Sequence, residues 1–95
     1  MEKQAPIGIF DSGVGGITIW KELVKELPNE NTIYLADNKN APYGLKSSSE
    51  VLNYSIKNTK ILLSKGVKLI VVACNTATTN TIQNLRKKFP NMGFI

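Results

Sequence analysis

Apolar residues in this chain alternate between short solid runs and helical stripes. Ile7 to Phe10 is the first run, and Asp11-Ser12-Gly13-Val14-Gly15-Gly16 follows it. Ile17, Trp20, Leu23, Val24 and Leu27 then recur at helical spacing, with Lys21, Glu22, Lys25 and Glu26 on the other face. Pro28-Asn29 closes that helix, and Thr32 to Ala36 reads as a second strand ending at Asp37. After a loop over 38–46, Ser47-Ser48-Ser49-Glu50 fits a capping box, with Ser47 as N-cap and Glu50 reaching back. The helix it opens carries Val51, Leu52, Ser55, Thr59, Leu62 and Leu63 on one face and is predicted to end at Gly66. Lys68 to Ala73 is a continuous apolar run behind one lysine, the mark of a buried parallel strand. It leads into Cys74-Asn75-Thr76-Ala77-Thr78. A helix carrying Ile82 and Leu85 follows and stops before Pro90. Gly93-Phe94-Ile95 reads as a fourth strand that has barely begun.

Strand and helix alternate throughout, which predicts an α/β fold: a parallel-sheet, three-layer domain truncated at about the fourth strand. Residues 1–95 are one domain or part of one, without repeats, linkers or low-complexity tracts. Hydrophobic content of 42% and charged content of 20% are ordinary for a globular protein. One cysteine makes no internal disulfide, Met1 to Pro6 has no apolar run behind its charge, and the longest apolar stretch is too short for a membrane. Cytoplasmic localisation is the resulting expectation. The net charge of +5 sets 12 Lys+Arg against 7 Asp+Glu. These bases are scattered, apart from Arg86-Lys87-Lys88 in a last helical turn, where cations suit the helix dipole. That distribution argues against a nucleic-acid partner.

Three loops are predicted to leave one edge of the sheet, after Phe10, Ala36 and Ala73. They bring Asp11-Ser12, Asp37 with Pro42-Tyr43-Gly44, and Cys74-Asn75-Thr76 into one neighbourhood, where open α/β sheets bind ligands. A carboxylate, hydroxyls, an amide and a thiol suit a small zwitterion, which needs donors for its carboxylates and an acceptor for its ammonium. The glycine-rich turn 13–16 is neither a Walker loop nor a dinucleotide fingerprint, and reads either as tight helix–strand packing or as part of the site. Cys74 reads either as a small buried hydrophobe or as a reactive thiol whose thiolate a helix N-terminus would favour. The chain contains no histidine, so a Cys–His pair cannot form within it, but a thiolate can itself act as a base. Tyr43 suits structural stacking as well as ligand contact, and Asp37 reads as a loop former. No metal cluster or cofactor motif is present.

Phe10-Asp11-Ser12-Gly13-Val14-Gly15-Gly16, Ala41-Pro42-Tyr43-Gly44 and Val72-Ala73-Cys74-Asn75-Thr76-Ala77 together resemble the glutamate racemase family, in order and spacing. The resemblance runs through all 95 residues. It implies a cofactor-independent enzyme that interconverts L- and D-glutamate for bacterial peptidoglycan. It also implies two similar α/β domains with the site between them, each contributing one cysteine. By that resemblance Cys74 is the acid/base of the first domain, taking the proton from D-glutamate, with Asp11 supporting it. Asp11, Ser12, Tyr43, Gly44, Asn75 and Thr76 match substrate-binding positions. The loop Asp37 to Ala41 departs from the family by lacking an Ala-Arg pair before Pro-Tyr-Gly. Members are more than twice this long, so the second cysteine, its neighbouring threonine and a histidine fall outside this chain. The segment alone is therefore expected to be inactive. It is also expected to dimerise, or to associate through faces the rest would cover. Alternatives are a non-catalytic amino-acid-binding module or a related racemase acting on aspartate.

Overall fold

A computed structural model describes residues 5–11, 16–37, 47–73 and 79–95. The elements are β1 (Ile7–Asp11), α1 (Gly16–Glu26), β2 (Thr32–Ala36), α2 (Ser48–Ser64), β3 (Leu69–Val72) and α3 (Thr79–Lys88). The strands form one parallel sheet in the order β2-β1-β3. Ile7 lies opposite Thr32 on one side and Leu69 on the other. β1 is thus central, and all five of its residues are buried, as its unbroken apolar run requires. Phe94 makes a single parallel bridge to Ile70, with Ile70 N–H donating to the Gly93 carbonyl at 3.0 Å. The expected fourth strand is thus begun beside β3: Val72 N–H also donates to the Ile95 carbonyl at 2.8 Å and Ile95 N–H to the Ile70 carbonyl at 3.0 Å.

Strand order fixes the layers. The crossover from β1 to β2 and that from β2 to β3 run in opposite directions, so with right-handed connections α1 and α2 cover opposite faces. Side-chain alternation agrees. Ile33 and Leu35 of β2 pack into the core formed by Phe10, Leu62, Val67, Ile70, Leu85 and Phe94. Thr32 and Tyr34, between them, meet Trp20 of α1. Phe10, Leu62, Ile70 and Leu85 are fully buried. Each stabilises the fold by roughly 1.5–3 kcal/mol relative to exposure.

The capping box of α2 forms as the sequence predicts. Glu50 N–H donates to Ser47 Oγ and Ser47 N–H to Glu50 Oε1, both at 3.2 Å. At the other end Gly66 N–H bonds the Leu63 carbonyl at 3.0 Å, and Gly66 adopts φ 77°, which glycine takes without a Cβ penalty. The inward face of α2 contains Val51, Ser55, Thr59 and Leu62 as expected, and also Asn58. The Ser55 and Thr59 hydroxyls have no hydrogen-bond partner among the described residues. The apolar stripe of α1 fares differently from its helical pattern. Ile17 is 51% exposed, Leu27 43% and Val24 38%, so three of the five residues expected to face the core lie largely in solvent.

Candidate functional site

The three strand ends meet as the sequence predicts. Asp37 N–H donates to the Asp11 carbonyl at 3.1 Å, and Ala73 N–H to the Phe10 carbonyl at 2.9 Å. Chain order reverses direction between β1 and β3, the switch point at which open α/β sheets receive ligands outside their carboxyl ends. Asp11 closes β1 at that point and is completely buried.

A buried carboxylate needs donors, and Asp11 has one from the neighbouring strand. The Tyr34 hydroxyl donates to Asp11 Oδ2 in a very short hydrogen bond. Tyr34 is register partner to Ile9, and Asp11 to Ala36, so tyrosine and carboxylate are diagonal neighbours on one sheet face. Burial and then the Asp11 hydrogen bond and charge push the Tyr34 phenol up to about 12. The phenol therefore stays protonated and donating through neutral pH. Its ring stacks on Trp20, with centroids 5.9 Å apart and planes 11° from parallel. Trp20 is anchored in turn, its Nε1–H donating to Thr32 Oγ1 at 2.9 Å. From the helix side Gly16 presses on the same carboxylate: a Cβ there would overlap its oxygen and stand 2.7 Å from Asp11 Cβ. Of the two readings of the glycine-rich turn, Gly16 satisfies tight helix–strand packing. At the β2 end, Asn58 Nδ2 donates to Asp37 Oδ2 at 3.5 Å, tying α2 to the sheet edge.

Of the residues singled out in the sequence, Asp11 is found at this edge. Ser12, Tyr43, Gly44, Cys74, Asn75 and Thr76 lie outside the described residues. Among the described residues, no group of three His, Cys, Asp or Glu could hold a metal ion. Also among them, no helix is long and apolar enough to cross a membrane. Sequence reasoning missed Tyr34 and Asn58. The available signal for Tyr34 was its place two residues before the end of β2, on the same side of the pleat as the Asp closing β1.

A buried carboxylate at the switch point of a parallel sheet, held between a tyrosine and a helix start, puts the chain in the class of open α/β domains, an architecture whose ligands are received outside the carboxyl ends of the strands. Comparison with known proteins narrows the class. No family model matches the chain. It is 54% identical to the glutamate racemase of Clostridium acetobutylicum over 93 residues, which are 98% of this chain and 36% of that protein. It is 54% identical to that of Campylobacter curvus over 83 residues, 87% of this chain and 31% of the other. The fold superposes on glutamate racemase isoform RacE1 of Bacillus anthracis with a TM-score of 0.92 and 37% identity, covering 99% of this chain and 35% of that one. The Francisella tularensis glutamate racemase, solved in complex with D-glutamate, gives 0.89 and 38%, covering 97% and 35%. The chain belongs to the glutamate racemase family and spans about a third of the length of these relatives.

Proposed function

We propose that this chain is the N-terminal portion of the first domain of a cofactor-independent glutamate racemase and supplies one of its two acid/base groups. The observation that carries this reading is the 54% identity to a glutamate racemase over 98% of the chain. Cys74, following the buried end of β3, takes the Cα proton of D-glutamate as a thiolate and leaves a carbanion. A second acid, carried by polypeptide outside these 95 residues, returns a proton to the opposite face and yields L-glutamate. In the reverse direction Cys74 is the proton donor. Racemisation needs groups on both faces in opposite protonation states, and this chain has one thiol and no histidine. Asp11 supports the chemistry and, with Ser12, Tyr43, Gly44, Asn75 and Thr76, binds the substrate. The D-glutamate formed serves peptidoglycan synthesis in the cytoplasm. The exposed stripe of α1 associates with a second copy, or with the remaining polypeptide of the enzyme.

The test is to incubate the purified chain with each glutamate enantiomer in deuterated water, following the Cα proton by NMR and chirality by optical rotation. Alone, the chain should give no racemisation. Joined to the complementary part of the Clostridium acetobutylicum relative, it should racemise glutamate and lose that activity on Cys74→Ser. Racemisation by the 95-residue chain that survives Cys74→Ala would refute the two-thiol reading.

A further inference from the structure

We propose that Tyr34 is a positioning residue for this site, its hydroxyl fixing the Asp11 carboxylate in the one orientation from which that carboxylate supports proton transfer. The inference rests on the racemase reading above and extends it to a residue on β2. Four observations carry it. Asp11 is completely buried, so its orientation is set by protein groups rather than by bulk water. The Tyr34 hydroxyl donates to Oδ2 from the adjacent strand. Tyr34 is itself fixed: its ring lies against Trp20, and Trp20 is pinned to Thr32 at 2.9 Å. Gly16 closes the other side, where any Cβ would overlap the carboxylate. Satisfying a buried carboxylate calls for donors but does not require that a donor be itself held in place. Here stacking and anchoring hold the donor as well, which is how a group is kept within a fraction of an ångström of a working geometry.

Two measurements test this. In the 95-residue chain, the ¹³Cζ signals of the tyrosines are followed by NMR as pH rises from 8 to 11, with Tyr34→Phe identifying the Tyr34 resonance. Tyr34 should remain protonated at the top of that range and begin to ionise within it in Asp11→Asn. An unchanged Tyr34 profile in Asp11→Asn would mean that the hydroxyl and carboxylate are not coupled, and would overturn the proposal. In the enzyme formed by joining this chain to the rest of the Clostridium acetobutylicum relative, Tyr34→Phe keeps the aromatic ring and removes only the hydroxyl. It should lower kcat roughly 10–100-fold with KM changed much less, the usual effect of removing an outer hydrogen-bonding partner. Gly66→Ala, which strains the positive-φ end of α2 beside the start of β1, at the opposite edge of the sheet from Asp11, is the control for lost stability and should leave kcat unchanged. If Tyr34→Phe only lowers Tm, as Gly66→Ala does, Tyr34 is structural and the proposal fails while the racemase reading stands. If the joined enzyme with wild-type residues does not racemise glutamate, the racemase reading fails and this inference falls with it.

Discussion

At the residue scale, two neighbours of the buried Asp11 make separate predictions. Gly16→Ala places a methyl group into the Asp11 carboxylate. Because the obstacle is a buried, hydrogen-bonded group rather than a flexible chain end, the helix start or the carboxylate must move. The expected cost is on the order of 1–3 kcal/mol, read as a lowered midpoint of denaturant unfolding; an unchanged midpoint would show that α1 does not press on Asp11. Tyr34 predicts a pH dependence. In the unfolded chain a tyrosine loses its proton near the ordinary value of 10, while in the fold Tyr34 holds its proton up to about 12. Its contribution is therefore complete below pH 10 and is lost as pH rises toward 12. Thermal scans across that window should show a steeper fall in Tm for the wild-type chain than for Tyr34→Phe. Parallel curves would show that the phenol is not coupled to folding.

At the scale of the element, legibility follows how local the determining interactions are. The capping box Ser47/Glu50 was readable because donor and acceptor are three residues apart. The strand Leu69–Val72 was readable because a solid apolar run has few other uses. Gly66 marked the end of α2 because a positive φ selects for glycine. The bonds Tyr34–Asp11 and Asn58–Asp37 join residues 23 and 21 positions apart, on different elements, and neither periodicity nor spacing carries such a pairing. The stripe on α1 was legible as a helix, but a stripe does not say how much of it a partner layer covers. The inward face of α2 adds another case. Ser55 and Thr59 are completely buried, and their hydroxyls have no partner among the described residues. A buried hydroxyl without a hydrogen bond has lost its hydration and gained nothing. Thr59→Val keeps the shape and removes that cost, so it should stabilise the chain by about 1 kcal/mol. A lowered Tm in Thr59→Val would mean that the hydroxyl is satisfied in solution.

At the scale of the whole molecule, the apolar residues Ile17, Ile19, Val24 and Leu27 stand exposed along one helix and its end. Exposed apolar residues that join into a patch promote association. The purified chain should sediment as a dimer or larger species, and Val24→Lys should shift it toward monomer. A monodisperse wild-type monomer over the micromolar range would rule out α1 as a contact surface for copies of this chain.

The strand order β2-β1-β3 also bears on the sequence in which the domain can assemble. Its central strand is its first, and the nearer partner in the chain is β2. Closing the chain from Ile7 to Leu69 rather than to Thr32 costs less than about 1 kcal/mol more in loop entropy, so stability scarcely distinguishes the two pairings. Emergence from the ribosome does distinguish them. Asp11, Gly16, Trp20, Thr32 and Tyr34 all precede α2, so these members of the cradle around the carboxylate are made before β3. A nascent chain thus has the means to bring Tyr34 onto the Asp11 carboxylate before β3 has been synthesised.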